Sequence, residues 1–183
     1  FGAHNPGQRE LPFCIHTRYS TQQAILEDIV ASLYAQGMRK LIILSGHGGN
    51  NFKGMIRDLA FVYPDFLIIA ADWFSIVSPK DYFEAAVDDH AGESETSVMM
   101  HYHPELVNLA EAGDGESHPF AIPSLNEKVG WAPRHWDKAT VDSGVGNPKK
   151  ASAEKGERYM KPVVEKLAKL FKDCLLYTSP SPR

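Results

Sequence analysis

Apolar residues recur at helical spacing through Ile25, Leu26, Ile29, Val30, Leu33 and Tyr34. The preceding Ser20-Thr21-Gln22-Gln23 reads as an N-cap with its capping-box partner three residues on. Gly37 ends this predicted helix. Residues 41–44, Leu-Ile-Ile-Leu, form a continuous apolar run, the pattern of a strand covered on both faces. Phe52, Ile56, Leu59, Ala60 and Tyr63 mark a second amphipathic helix, which Pro64 stops because it has no backbone N–H to donate. Residues 66–70 give a second buried strand.

Helix, strand, helix, strand over one short stretch predicts parallel βαβ units and an α/β fold of three layers, α/β/α, with a mostly parallel sheet. Ligands of such sheets bind at the carboxyl ends of the strands, where residues 45–50 and Asp72-Trp73 fall. Further on, residues 93–102 predict a helix opened by Ala91-Gly92 and stopped before Pro104. Glu93 and Glu95 in its first turn suit the positive end of the helix dipole. Residues 111–150 are rich in Gly, Pro, Asp and Ser, and only 120–122 read as a strand. Ala153, Met160, Val163, Val164, Leu167, Leu170 and Phe171 mark a long closing helix within 149–173.

At 183 residues with 43% hydrophobic composition, the chain has apolar material for one core over residues 1–173. A net charge of -4 with scattered Lys and Arg offers no basic stripe, so nucleic acid is not an expected partner. The apolar runs fall far short of the roughly 20 residues that cross a bilayer, so no membrane is expected either. Cys14 and Cys174 alone make no disulfide framework, which favours a reducing, cytoplasmic setting. The chain opens on Phe1 rather than Met, which predicts that its natural start lies upstream. Residues 174–183, Cys-Leu-Leu-Tyr-Thr-Ser-Pro-Ser-Pro-Arg, resemble an in-frame translation of a sequencing adapter; they are read as a non-native tail outside the fold.

Two segments can carry chemistry. Gly46-His47-Gly48-Gly49-Asn50 sets an imidazole among glycines at a strand's end, where the backbone can turn sharply and approach a ligand. His47 is thus a candidate metal donor, or the loop is a tight turn or an anion cradle for the next helix. Residues 88–97 pack one histidine, His90, and four carboxylates into ten positions, a density suited to proton transfer beside an anionic donor. A solvated acidic loop with a helix cap is the plainer reading.

Together, residues 41–50, ending Ser-Gly-His-Gly-Gly-Asn, and residues 90–97, His-Ala-Gly-Glu-Ser-Glu-Thr-Ser, resemble the creatininase (creatinine amidohydrolase) family. The likeness runs from Phe1 to Phe171 and takes in Trp73 and the Gly-Val-Gly-Asn-Pro turn at 144–148. The resemblance implies an α/β/α hydrolase in which two divalent metals, zinc, manganese or iron, activate water against a C–N bond of a cyclic amide or formamide. It implies His47 and Glu95 as metal ligands, Glu95 in or just outside the metal shell, and His90 as the acid/base at the departing nitrogen. Trp73 and Asn50 are the implied substrate contacts. A small-molecule amide substrate and a homo-oligomer, a hexamer in particular, follow from the same likeness.

Two departures matter. Some members place a carboxylate two residues after the motif histidine, where this chain has Gly49. The family's opening Glu-x-His and later Asp have no counterpart between Phe1 and Ile42, and His4 and His16 stand in the wrong context. The chain is therefore expected to lack most of its metal ligands, to bind metal weakly and to be inactive alone. The alternative, an anion- or phosphate-binding α/β module, lacks the Lys and Ser/Thr that a P-loop places after its glycines.

Overall fold

The structure, a computed structural model, describes residues 6–177. In chain order the helices are α1 Tyr19–Ala35, α2 Phe52–Val62, α3 Glu93–Tyr102, α4 Pro123–Asn126, α5 Trp136–Ala139 and α6 Ala153–Leu176. The strands are β1 Lys40–Ser45, β2 Leu67–Asp72, β3 Asp88–His90 and β4 Val145–Gly146. Described residues 15–76 and 165–177 form one compact unit, and residues 6–14 and 77–164 a second.

In the first unit β1 and β2 pair in parallel, from Lys40 opposite Leu67 to Ser45 opposite Asp72, as the βαβ pattern requires. Strand alternation turns Leu41, Ile43 and Ile68 toward Leu26 and Val30 of α1, Met55 and Leu59 of α2, and Phe66. Each of those five buried side chains contributes on the order of 2 kcal/mol of apolar burial.

The expectation of strands buried on both faces needs correcting. Both strands are mostly half-buried and Leu44 is 52% exposed, because among the described residues each has a single hydrogen-bonded neighbour.

The helix start also differs from the expected capping box at Ser20. The first helix begins at Tyr19 with Arg18 as N-cap and no side-chain cap, while Gln23 Nε2 donates to Asp58 Oδ2 at 3.0 Å. At the other end, α6 runs to Leu176 with Cys174 buried, one turn beyond the boundary at Asp173. The ammonium of Lys40 donates to the carbonyls of Cys174, at 2.6 Å, and Tyr177, a cation placed where the last carbonyls of a helix lack partners. The rest of the expected tail, 178–183, lies outside the described residues, as does His4.

The second unit is built around Tyr159 and Val163, both essentially inaccessible, with Phe83, Trp136, Val145 and Ala151. Tyr159 meets the rings of Phe83 at 5.1 Å and Tyr82 at 5.4 Å, and its hydroxyl donates to the Val77 carbonyl at 3.2 Å. β3 pairs antiparallel with β4, so the Gly-Val-Gly-Asn-Pro turn lies directly against the strand that carries His90. Gly146 has φ +120°, and a Cβ there would press on the Val87 carbonyl at 2.7 Å, so this contact requires glycine.

Residues 120–122, expected as a strand, form none. The Asn126 side chain takes both backbone groups of Phe120, accepting from its N–H and donating to its carbonyl at 2.8 Å each, and thereby replaces the ladder bonds a strand would make. Ahead of α6, residues 148–150 are a separate 3₁₀ turn, so the closing helix starts four residues later than its pattern suggests.

Candidate functional site

His47, Asn50 and Trp73 belong to the first unit and lie at or just after the carboxyl ends of β1 and β2. The β1 end is organised by its own polar groups. His47 Nδ1 accepts the Gly49 N–H at 2.8 Å, the Ser45 hydroxyl approaches the His47 carbonyl at 3.4 Å, and Asn50 Nδ2 approaches Ser45 Oγ at 3.5 Å.

Neither Gly46 nor Gly48 takes a positive φ, and a Cβ on Gly46 would meet nothing within 4 Å. The sharp turn expected to need these glycines is therefore made without left-handed backbone at either position. Asn50, Asn51, Phe52, Lys53, Ile56, Arg57, Ala70 and Asp72 line a cleft of about 380 Å³ beside this loop. Trp73 opens a 3₁₀ turn after β2 and stands edge-on to Phe74, ring centroids 5.9 Å apart.

His90 and Glu95 belong to the second unit, and the structure brings them together. His90 ends β3; Ala91 then takes φ +50°, a conformation uncommon for a residue with a Cβ, and Gly92 caps α3. Glu95 Oε2 accepts the Ala91 N–H at 2.7 Å and lies 3.9 Å from His90 Nδ1, so one carboxylate oxygen both holds the strained turn and faces the imidazole.

Gly92 has no side chain to cap the helix, and Asp88 does so instead, Oδ2 accepting the Ser94 N–H at 3.0 Å. Burial of the Asp88 carboxyl pushes its pKa up, with the hydrogen bond from Ser94 opposing the shift and the charges of Glu93 and Glu95 adding to it.

Glu93, completely buried, accepts the Glu84 and Ala85 N–H groups at 2.8 Å each and the Lys155 ammonium at 2.5 Å. It anchors the segment that leads into β3. Sequence reasoning counted Glu93 and Asp88 among the acidic residues without separating their roles, and it missed Trp136, which meets the His90 ring edge-to-face at 5.2 Å.

The fit of these donors to a divalent metal is incomplete. One of the two ring nitrogens of His47 is engaged by Gly49, one carboxylate oxygen of Glu95 accepts the Ala91 N–H, and a catalytic metal wants about three protein ligands. Among the described residues, no three His, Cys, Asp or Glu side chains are grouped so as to hold a metal ion.

These features define an α/β protein with chemistry-bearing loops at the carboxyl edge of a parallel strand pair and at a strand-to-helix turn. The creatininase profile, described as creatinine amidohydrolase, matches residues 1–171, and the chain belongs to the creatininase family. It is 33% identical over 131 residues to the mycofactocin precursor peptide peptidase of Mycobacterium ulcerans (strain Agy99), covering 69% of this chain and 45% of that protein. It is 25% identical over 183 residues to the creatinine amidohydrolase of Pseudomonas putida, covering 91% of this chain and 65% of that protein. The chain thus spans between about half and two thirds of the length of these curated relatives.

A crystal structure from Bacteroides fragilis NCTC 9343, of a protein named provisionally as a creatinine amidohydrolase, is 84% identical with a TM-score of 0.93. It covers 97% of this chain, which covers 70% of it. Creatininases solved as a Zn-Zn type and an Mn form, at 20% and 19% identity with TM-scores of 0.73 and 0.71, share the fold. In each case 97% of this chain is covered, against 74% of the other.

Proposed function

We propose that this chain is part of a hydrolase that cleaves a C–N bond of a small cyclic amide or formamide, with His90 as the proton-transfer residue. The observation that carries this reading is the approach of His90 Nδ1 to Glu95 Oε2 at 3.9 Å, on a strained turn, in a member of the creatininase family. With Nδ1 turned to the carboxylate, the other ring nitrogen is left to handle a substrate proton. Water oxygen bonds to the carbonyl carbon, the C–N bond breaks, and His90 delivers a water-derived proton to the departing nitrogen. Asn50 and Trp73 are the proposed substrate contacts. The protein works in the cytoplasm as a homo-oligomer, a hexamer in the reading that the family likeness favours.

Divalent metal, zinc or manganese, would supply Lewis acidity and a more acidic water in the intact protein. The Zn-Zn and Mn forms of solved creatininases support that choice, and His47 is the proposed donor from this chain, with Glu95 in or just outside the metal shell. With His47 and Glu95 as its proposed donors, where a catalytic metal wants about three, this chain alone should bind zinc or manganese far more weakly than a form extended to the length of its Bacteroides fragilis relative, and should be inactive.

The test is to titrate both forms with metal by calorimetry and assay both against creatinine, small lactams and formamides. In the extended form, His90→Ala should keep bound metal and lose about 100-fold or more in kcat, whereas His47→Ala should lose metal. Loss of metal from His90→Ala would reverse the roles; tight metal binding and turnover by this chain alone would overturn the claim of missing ligands.

The alternative of an anion-binding module is favoured by one observation, the cleft that Lys53 and Arg57 line beside Asn50 and Asn51. Inorganic phosphate shifting those amides in NMR spectra, with no amide hydrolysis in the extended form, would favour it.

A further inference from the structure

Two groups meet one indole. His90 meets Trp136 edge-to-face, ring centroids 5.2 Å apart with an interplanar angle of 69°. The Arg134 guanidinium lies 4.9 Å from the centroid of the same indole, and its Nη1 donates to Asp89 Oδ2 at 2.8 Å. Successive residues of β3, Asp89 and His90, are therefore both tied to the short segment that carries Arg134 and Trp136. That segment is 45 residues further along the chain.

The segment is itself firmly held. Trp136 is 8% exposed, and its carbonyl accepts both the N–H and the hydroxyl of buried Thr140, at 3.1 and 2.6 Å. Gly7 packs so closely on the Arg134 carbonyl that a Cβ has no room there.

We infer that Trp136 is the positioning residue of His90: the buried indole, tied to β3 through Arg134 and Asp89, fixes the imidazole so that Nδ1 faces Glu95. A histidine side chain has two torsions to restrain. The 3.9 Å approach of Glu95 is too long for a direct hydrogen bond and restrains them weakly, whereas an edge-to-face aromatic contact adds a directional attraction beyond the area it buries. Without that contact the imidazole would rotate, and its two nitrogens would exchange places relative to the carboxylate. Trp136 touches no reacting atom in this account; it acts through His90. The inference rests on the reading of His90 as the proton-transfer residue for its functional meaning, but the contact itself is testable without turnover.

The test is spectroscopic and uses this chain.

The signal is the ¹⁵N spectrum of the His90 ring. It should show one dominant neutral tautomer in the unaltered protein and a mixture in Trp136→Leu. Should Trp136→Leu fail to fold, Trp136→Phe, which keeps an aromatic edge, should show a partial mixture. One tautomer unchanged in a folded Trp136 variant would overturn the inference. Full turnover by His90→Ala in the extended form would instead overturn the role of His90, leaving the positioning contact intact.

Discussion

Glu93 Oε1 and Lys155 Nζ stand 2.5 Å apart, the carboxylate fully buried and the lysine side chain 21% exposed, with the other carboxylate oxygen taken by the Glu84 and Ala85 amides. One side chain thus closes the path from residue 84 to the start of α3, and with it the strand that presents His90. Removing it leaves two backbone donors without their acceptor and takes from the Lys155 ammonium its shortest bond, leaving it Glu84 and the Lys150 carbonyl. Glu93→Ala should therefore cost about 3 kcal/mol or more. Lys155→Met should cost less, because the carboxylate keeps its two amide donors. Urea unfolding of the two variants checks both the size and the order.

The acid limb of stability has an identifiable contributor. Hydrogen bonds and attraction from Lys150 and Lys155 push the Glu84 pKa down from 4.5 to about 2. A depressed carboxylate stabilises the fold above its unfolded pKa, and that contribution is lost as pH falls from about 4.5 toward 2. Glu84→Gln should flatten that part of the melting-temperature profile relative to the unaltered protein and leave the profile above pH 6 parallel to it. Equal slopes below pH 4.5 would show that the two lysine contacts are too screened to matter.

Two glycines of the family-like segments should respond in opposite ways to alanine. At Gly146 the positive φ and the Val87 carbonyl oppose a Cβ together, so Gly146→Ala should destabilise by about 2 kcal/mol or more and disturb the pairing of β3 with β4. At Gly46 neither obstacle exists, and Gly46→Ala should stay within about 0.5 kcal/mol. Thermal melts of the two variants side by side test the contrast. A large effect of Gly46→Ala on activity with none on stability would mark that position as reserved for substrate.

Local pattern made the strand pair of the first unit and α3 of the second legible. The runs at 41–44 and 66–70 became parallel strands, and α3 has the predicted bounds, because burial periodicity and a following proline are properties of neighbours in sequence. What failed was decided elsewhere in the chain. Gln23 turned to Asp58 instead of closing a capping box, and Asn126 satisfied the backbone that would have made residues 120–122 a strand. Of the candidate site, the closeness of His90 to Glu95 was legible from a motif six residues long. Trp136 was not, since nothing near it in sequence signals an imidazole 46 positions earlier.

The carboxyl end of α6 separates two truncations that the sequence alone treats as one. Cys174 is buried and its carbonyl accepts from Lys40, whose ammonium also reaches the Tyr177 carbonyl, so the last described turn is tied to the first residue of β1. Ending the chain after Asp173 removes both acceptors, exposes the surface that Cys174 covers, and leaves Lys40 to water. Burial of a side chain the size of cysteine together with two charge-assisted bonds at partly exposed positions suggests a loss of about 1–2 kcal/mol. Ending it after Tyr177 keeps all of these contacts. The expected outcome is a melting temperature several degrees lower for the chain ending at Asp173, and one indistinguishable from the full chain for the chain ending at Tyr177. Lys40→Met should reproduce part of the first loss and add little to it in the double variant, because both changes remove the same bonds. Additive losses in that cycle would mean that Lys40 and the helix end stabilise the first unit independently.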